Sequence, residues 1–359
     1  MGSSFLKCNP SVFVIGNDYE ILLVARENGI LGLKIKNQIF YEENSGVLSS
    51  EKDFAKIRVP QAVLDGAKEY TVVYKKTINR KGYFSEFESE ISQTFKFIPI
   101  VGKEELNVYH VADVHKYYDE GVKTCSYFGD ELDLLIVNGD IGELESKETY
   151  EDIAKFVGEV SKGEIPVIFA RGNHDTRGKL VEKYTDYFPA NGKNTYFTFD
   201  VGNLCGVVFD CGEDKTDDHD EYGGANDFSS FRKRQTEFFK NMKLDKNKIR
   251  FAVGHICPCM TTEKPGNCFD IERDTYSIWT KCLEREDISF MLCGHLHRAM
   301  VLQPNCEKSI IKHDFPVVIG SALKERKIVG TAIVLSKTGM KVRFTDGDKK
   351  VLFEQSFVF

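Results

Sequence analysis

The first hundred residues contain short runs of β-branched and aromatic side chains separated by turn-forming residues. The clearest runs lie at residues 12–15, 21–25, 70–75 and 94–98, and the Asn-Arg-Lys-Gly sequence at 79–82 is typical of a hairpin turn. Runs of this length and spacing predict antiparallel strands. We therefore expect residues 1–100 to form a small all-β sandwich, separate from the rest of the chain.

From about residue 104 the pattern changes to apolar runs that alternate with amphipathic segments. The apolar runs predict strands at residues 106–112, 134–138, 167–170, 204–209, 249–253 and 288–292. The amphipathic segments predict helices at residues 148–161, 231–242 and 275–286. Further strands are predicted at 317–319, 331–335, 342–344 and 351–353. This alternation is typical of an α/β domain on a buried sheet, which we expect to cover residues 101–359.

Polar clusters stand directly after five of the predicted strands. They read Asp113-Val114-His115, Gly139-Asp140, Gly172-Asn173-His174-Asp175, Gly254-His255 and Gly294-His295-Leu296-His297. Loops at the carboxyl ends of parallel strands meet at one edge of a sheet, where α/β proteins bind ligands. Each cluster alone is compatible with an ordinary turn. Seven of their side chains, which are two carboxylates, four imidazoles and one carboxamide, match the ligands of a two-metal site. The preceding glycines predict tight backbone, often with positive φ.

Composition and charge exclude several classes of protein. The chain has 359 residues, with 48 Lys and Arg against 55 Asp and Glu, and its formal net charge is -7. This acidity argues against extended nucleic-acid binding, and so against a nuclease, although a short overhang could still enter the site. No apolar run approaches the roughly 18 residues of a membrane span. No signal peptide is visible either, so we expect a cytoplasmic protein unless a signal has been removed.

The ten cysteines are too sparse for a disulfide-dense scaffold, which favours reduced thiols. Cys257 and Cys259, followed by Cys268, offer an alternative soft-metal site. Their spacing is not that of a zinc site, and buried cysteine commonly behaves as a small hydrophobic residue. We therefore expect these cysteines to be structural.

In this order and spacing the five clusters resemble those of the calcineurin-like metallophosphoesterase superfamily, over residues 107–359. The resemblance implies an α/β fold of four layers, in which a β-sandwich is flanked by helices. It also implies two metal ions. By this resemblance one metal would be held by Asp113, His115, Asp140 and His297. The other would be held by Asp140, Asn173, His255 and His295. Asp140 would thus bridge the two metals.

A closer resemblance is to the purple-acid-phosphatase-like branch of this superfamily. This resemblance rests on the segment Arg-Gly-Asn-His-Asp-Thr-Arg-Gly at residues 171–178. Members of this branch have a fibronectin-type-III-like sandwich before the catalytic domain. True purple acid phosphatases place a tyrosine three residues after the bridging aspartate, where this chain has Glu143. We therefore expect a non-purple relative, with two divalent transition-metal ions chosen among Mn, Fe and Zn.

The expected reaction is hydrolysis of a phosphomonoester of a small molecule. Two divalent cations bring four positive charges, and Asp113 and Asp140 return two negative charges, so the site attracts a phosphate dianion. A water bridging the cations would become hydroxide and attack phosphorus. By resemblance His174 lies beside the metals and Asp175 orients it, so His174 is expected to protonate the leaving oxygen. Arg177 could clamp the phosphoryl oxygens or form a surface salt bridge.

Other functions stay open at the level of sequence. The same metals could cleave phosphodiesters of nucleotides or lipid head groups. The protein could also be a binding protein with a vestigial site, although every expected ligand is present. The polar segment at residues 211–227 could be a lid from which His219 and Tyr222 reach the leaving group, or a solvated loop. The sequence does not indicate the oligomeric state.

Overall fold

A computed structural model describes residues 4–260 and 271–359. The strands are β1 (Ser11–Ile15), β2 (Asp18–Val24), β3 (Gly29–Ile35), β4 (Gln38–Phe40), β5 (Phe54–Pro60), β6 (Glu69–Asn79), β7 (Glu86–Phe87), β8 (Ile91–Lys96), β9 (Glu105–Val111), β10 (Leu134–Asn138), β11 (Pro166–Ala170), β12 (Phe197–Val201), β13 (Leu204–Val208), β14 (Ile249–Val253), β15 (Phe290–Cys293), β16 (Met300–Leu302), β17 (Val317–Ile319), β18 (Ala322–Lys324), β19 (Lys327–Ser336), β20 (Gly339–Asp346) and β21 (Val351–Val358). The α-helices are α1 (Gln61–Ala67), α2 (Tyr118–Cys125), α3 (Lys147–Ser161), α4 (Tyr184–Tyr187), α5 (Phe228–Asn241) and α6 (Arg273–Arg285). Every strand and helix predicted after residue 104 is present, with ends that differ by a few residues.

Two large sheets face each other. The ten-stranded sheet has the order β21-β20-β19-β9-β10-β11-β1-β2-β5, with β18 paired to β19. The second sheet has the order β12-β13-β14-β15-β17-β16. At the centre of the first sheet β9, β10 and β11 run parallel, and in the second sheet β13, β14, β15 and β17 run parallel. The carboxyl ends of the parallel strands in each sheet therefore lie at one edge of that sheet.

Helices cover the outer faces of both sheets. On β10, Ile136 packs into the core between the sheets, whereas Val137 packs into a second core under α3. The buried residues of α3 include Tyr150, Ile153 and Val157, at the spacing of one helical face. Trp279 of α6 lies in a third core beneath the second sheet. This order of helices, sheet, sheet and helices confirms the expected four-layer fold.

The first hundred residues are mostly β-strands, as expected, but those strands divide between two sheets. A five-stranded sheet contains β3, β4, β6, β7 and β8, whereas β1, β2 and β5 extend the ten-stranded sheet. β1 pairs in parallel with β11, and Phe13 lies opposite Val167. The expectation of a sandwich separate from the catalytic part is corrected by this pairing. The physical reason is that all five residues of β1 are buried, so the strand needs cover on both faces.

Candidate metal centre

The candidate residues lie in the loops that leave the parallel strands. Asp113, Asp140 and Asn173 follow β9, β10 and β11 of the ten-stranded sheet. His255 follows β14 of the second sheet, and His295 and His297 follow β15. Because these strands end close to one another, the structure brings all seven candidate metal ligands together, with His115 two residues beyond Asp113. His174, Asp175 and Arg177 follow Asn173 in the same loop.

The backbone at this edge is unusual because five candidate ligands adopt the left-handed region although none is a glycine. Their φ angles are 55° at Asp113, 45° at His115, 55° at Asp140, 70° at His295 and 51° at His297. Each such residue carries a conformational cost of about 1–3 kcal/mol, and strain of this kind concentrates at functional sites. The sharp turns allow side chains from neighbouring loops to converge.

The glycines before the candidate ligands were expected to adopt positive φ, and one of the four does so. Gly139 has a φ of 79°, whereas Gly172, Gly254 and Gly294 have ordinary backbone angles. At those three positions the glycine allows close approach. A Cβ at Gly172 would collide with the carboxylate of Asp140, and one at Gly254 would collide with the ring of Phe209.

The first group of potential ligands contains Asp113, His115 and His297, whose ligand atoms all lie within 4.8 Å of one another. Nε2 of His115 lies 3.1 Å from Nε2 of His297. Nε2 of His297 lies 3.4 Å from Oδ1 of Asp113. Two imidazole nitrogens and a carboxylate oxygen thus face a common point, as the ligands of a cation do.

The second group contains Asp140, His255 and His295 within the same 4.8 Å limit. Nε2 of His255 lies 3.1 Å from Oδ2 of Asp140. Oδ1 of Asn173 lies 3.0 Å from Nδ1 of His295, which adds the predicted amide ligand to this group. Asp140 also belongs to a third group with His115 and His174, so its carboxylate lies between the two predicted metal positions.

Hydrogen bonds behind these groups orient the potential ligands. Nδ1 of His255 lies 2.7 Å from the carbonyl oxygen of Asn138 and donates to it, which leaves the lone pair on Nε2. The carboxylate of Asp175 accepts hydrogen bonds from the backbone N–H groups of Asp140 and Gly172, at 2.9 and 2.8 Å. Asp175 therefore contacts the backbone of the bridging loop, whereas the sequence predicted contact with His174.

The ion-free centre contains strongly shifted pKa values. Burial lowers the pKa of His255, but the charges of Asp140 and Asp113 outweigh burial and raise it to about 10. Burial raises the pKa of Asp140, but the positive charge of His255 outweighs burial and lowers it. Burial and the charge of Asp140 raise the pKa of Asp175 to about 7. A metal cation must therefore displace a proton from His255, so metal binding depends on pH.

The residues present fit a pair of divalent cations. The buried Nε2 of His255 makes no hydrogen bond, although its other ring nitrogen is satisfied. The facing nitrogens of His115 and His297 are also better satisfied by a shared cation than by each other. The donor set of imidazole nitrogens, carboxylates and one amide oxygen suits Mn, Fe or Zn.

His174 lies at the rim of the centre. Its ring centroid is 4.8 Å from that of His115, and its backbone N–H donates to Oδ1 of Asp140 at 2.8 Å. Nδ1 of His174 lies 3.7 Å from Oε1 of Glu143, and the second oxygen of Glu143 pairs with Nζ of Lys116 at 3.0 Å. Glu143, the residue at which the sequence departs from purple acid phosphatases, is thus the carboxylate next to His174.

Arg177 forms an ion pair, which is one of the two roles that the sequence left open, but its partner Glu213 is buried and was not identified from the sequence. Nε and Nη2 each lie 2.8 Å from an oxygen of Glu213, whose side chain is 1% exposed. Hydrogen bonding to Glu213 raises the pKa of Arg177 further above its usual value. The remaining nitrogen, Nη1, lies 3.4 Å from Nε2 of His174. Arg177 therefore connects the loop of Asn173 to the segment at residues 211–227.

The start of the segment at residues 211–227 is buried and brings Asp214 beside His295, whereas most residues from 216 to 227 are exposed to solvent. The backbone oxygens of Cys211 and Glu213 accept hydrogen bonds from the buried guanidinium of Arg232. Tyr222 is buried and its hydroxyl donates to Glu213 and Asp214, so it does not point toward a leaving group. The ring of His219 stays partly exposed and accepts from the backbone of Glu221.

Several residues of the site were missed by the sequence analysis. Asp214 lies 3.9 Å from Nε2 of His295, and Asn138 positions His255 through its backbone carbonyl. The side chain of Asn138 contacts the buried ring of His110 at 3.0 Å. A backbone contact leaves no signal in a single sequence. The acidic composition of residues 211–227 was the one available clue to Asp214.

The predicted alternative at the cysteines finds no support within the described residues. Cys257 and Cys259 are buried free thiols, and Cys268 lies outside the described residues. In residues 4–260 and 271–359, the three groups suited to a metal consist of aspartate and histidine side chains. No helix in the same ranges is long and apolar enough to cross a membrane.

Comparisons with known proteins agree with this geometry. A family model for the calcineurin-like phosphoesterases matches residues 106–299. Among solved structures, a purple acid phosphatase from yellow lupin (Lupinus luteus) seeds is similar, with a TM-score of 0.65 and 11% identity over 97% of this chain and 74% of that chain. A structure of PhoD has a TM-score of 0.60 and 12% identity over 100% of this chain and 90% of that chain. No curated protein sequence gave a significant match.

Proposed function

The chain belongs to the calcineurin-like phosphoesterase family and is a metal-dependent phosphoric ester hydrolase, and we propose that its substrates are phosphomonoesters of small molecules. The two cations, when bound, supply positive charge for the phosphoryl oxygens and acidify water. What distinguishes this chain is how its own residues place charge around them.

The charge balance of the centre supports a monoester. Within the described residues, Asp113 and Asp140 are the two carboxylates in the three groups of potential ligands. Two divalent cations therefore keep two positive charges in excess, because the imidazoles and Asn173 bind as neutral groups. A monoester dianion by itself offsets both charges, whereas a diester monoanion offsets one and leaves the other to the hydroxide that attacks phosphorus. This observation carries the proposal.

We assign the ligands as the resemblance implies. Asp113, His115 and His297 would hold one metal, and Asn173, His255 and His295 would hold the other. Asp140 would be shared, and its membership of two groups supports this role. Mn, Fe and Zn are the proposed metals. Glu143 in place of a tyrosine supports a site without the purple charge-transfer colour.

We assign His174 as the acid that protonates the leaving oxygen. Its ring lies beside Asp140 and His115, and it stays partly exposed toward the space that a substrate would enter. Asp175 would act by holding together the loop of Asp140 and the loop of Asn173, since its carboxylate accepts from the backbone N–H groups of Asp140 and Gly172. Arg177 would contact a phosphoryl oxygen through Nη1, because Glu213 uses the other two nitrogens that face it.

The test combines metal analysis with a substrate panel. The protein is stripped, reconstituted with Mn or Zn, and assayed on matched alkyl and aryl monoesters and diesters. We expect close to two metals per chain and a kcat/KM for monoesters at least about tenfold above that for the matched diesters. Asp140→Asn should lose both metal and activity, whereas Asp18→Asn, on the distant β2, should retain both.

The panel has two contrary outcomes. A preference for diesters would replace the monoesterase proposal by the phosphodiesterase alternative. Metal binding without hydrolysis of any ester would instead support the binding-protein alternative. No more than trace metal after reconstitution at saturating Mn or Zn would overturn the ligand assignment itself.

A further inference from the structure

The outer edge of β21 is a surface that the metal centre does not use. β21 is the last strand of the ten-stranded sheet, and in the described part of the chain it pairs with β20 alone. Its eight residues include one charged side chain, Glu354, and no proline. Natural proteins usually protect such edges with charges, prolines or covering segments, because an open edge pairs with other strands. This edge has little of that protection.

The same side of the molecule exposes apolar side chains. Leu352 is 49% exposed and Val358 is 90% exposed. Beside β21 an apolar groove is lined by Met300, Val301, Phe344 and Phe353. Met300 and Val301 belong to β16, which is the edge strand of the other sheet. Both sheets of the sandwich are thus open on this side.

The sequence of this edge is symmetric in polarity. Residues 351–359 read Val-Leu-Phe-Glu-Gln-Ser-Phe-Val-Phe, which is three apolar, three polar and three apolar residues about Gln355. A twofold axis through an antiparallel strand pair needs such symmetry, because every residue meets the residue at the mirrored position. An edge strand that pairs with a strand of different sequence does not need this symmetric order of apolar and polar residues.

We propose that this edge binds the same edge of a second copy of the chain. The two strands run antiparallel with Gln355 on the twofold axis, so the two large sheets become continuous. Phe353 then lies opposite Phe357 of the second copy, on the face of the sheet that carries the groove. Leu352 lies opposite Val358 of the second copy, on the other face. Each apolar residue is paired with an apolar residue.

The charge on Glu354 selects this register. With Gln355 on the axis, Glu354 meets Ser356 of the second copy and keeps its own ion pair with Arg343. Moving the axis to Glu354 would place two carboxylates directly opposite each other, which is destabilising. An axis between two residues would pair a residue that faces one side of the sheet with a residue that faces the other side. Such pairing is not possible in a regular antiparallel pair.

Sedimentation velocity and light scattering on the full chain test the dimer. We expect a dimer in the micromolar range. Leu352→Lys with Val358→Lys places like charges opposite each other in two symmetric pairs and should raise the dimer Kd at least about tenfold. Leu352→Lys with Val358→Glu places opposite charges there and should restore the dimer. The control is Val47→Lys, at an exposed residue of the N-terminal region, which should leave the Kd unchanged.

Cross-linking tests the register. In a background of Cys8→Ser and Cys306→Ser, Gln355→Cys should form an intermolecular disulfide under a mild thiol oxidant, because paired residues on an axis are close enough. Leu352→Cys should not, since it faces Val358 of the second copy. A monomer at all concentrations, a dimer insensitive to the lysine pair, or cross-linking through Leu352→Cys alone would each overturn the proposal.

Discussion

Arg177 and Glu213 form a bidentate ion pair in which two nitrogens each lie 2.8 Å from one carboxylate oxygen. Glu213 is buried, and Thr176 also donates to it at 2.8 Å. The pair joins the loop of the candidate ligand Asn173 to residues 211–227. The position of the start of that segment beside the centre therefore depends on two side chains that the sequence separates by 36 positions.

Removing one partner of this pair should destabilise the protein. Arg177→Ala leaves the buried carboxylate of Glu213 without a counter-charge, so we expect a loss of about 3 kcal/mol in the free energy of unfolding. Glu213→Ala should lose a similar amount, and the double variant should lose less than the sum. Urea unfolding measures this. Lys123→Ala breaks an exposed pair with Asp348 and should change stability by at most about 1 kcal/mol.

The kinetic effect of Arg177→Ala is a separate expectation. If Nη1 binds the phosphoryl group equally in the ground state and the transition state, KM should rise with little change in kcat. Steady-state kinetics at saturating metal provide the measurement. A fall in kcat at constant KM would instead show that Arg177 acts on the transition state alone.

Asn173→Ala should weaken the second metal site without destroying it. The change removes one neutral oxygen ligand while His255, His295 and Asp140 stay in place. We expect substoichiometric metal at low Mn or Zn and partial recovery of activity at excess metal. Metal titration followed by activity gives the result, with the exposed Asn241→Ala as control. Activity that excess metal fails to restore would indicate another role for Asn173.

His174→Ala should affect substrates according to their leaving groups. With the metal ligands intact, kcat should fall by roughly 10²–10⁴ for alkyl phosphates, whose leaving oxygen needs a proton. Nitrophenyl phosphate should be affected much less. His219→Ala provides the matched control, because that ring lies in residues 211–227 and contacts Glu221. An equal loss on both substrates at full metal occupancy would reject His174 as the acid.

The buried ring of His110 should make stability depend on pH. Burial lowers its pKa to about 3, below the usual value of 6.5, so the unfolded chain binds the extra proton between these values. The free energy of unfolding therefore keeps its full value with respect to His110 above pH 6.5. It falls by about 1.4 kcal/mol per pH unit as the pH decreases toward 3. Urea unfolding at pH 7, 6 and 5 measures the slope. His110→Gln, which cannot titrate, should show a shallower slope than the wild type.

Deleting residues 1–100 should abolish folding, although no potential metal ligand in the three groups lies there. The deletion removes β1, β2 and β5 and leaves β11 as an uncovered buried strand. We expect insoluble protein when the fragment is expressed alone. A single proteolytic cut in the exposed turn between β6 and β7 should leave a folded, active complex. A soluble, metal-loaded fragment would show that the division at residue 100 is a true domain boundary.

The sequence predicted the centre better than it predicted the sheets. Asp113, Asp140 and His255 were recognised because each follows an apolar run, and parallel strands end together. The pairing of β1 with β11 was missed because periodicity identifies a strand but not its partner. The ion pair of Arg177 with Glu213 was missed for the same reason. The left-handed backbone at His295 depends on the loops around it, so glycine positions alone could not predict it.

The pairing of β9 with β19 also sets an order of events during synthesis. His110 lies opposite Thr331, so one side of β9 has no native neighbour until more than 200 further residues have been made. At roughly 5–20 residues per second this takes about 10–45 s. During that time the strand that ends beside Asp113 presents a bare edge on the nascent chain. The last three strands, β19 to β21, therefore close a sheet begun much earlier. This late closure is the step of folding most open to misassembly and chaperone binding.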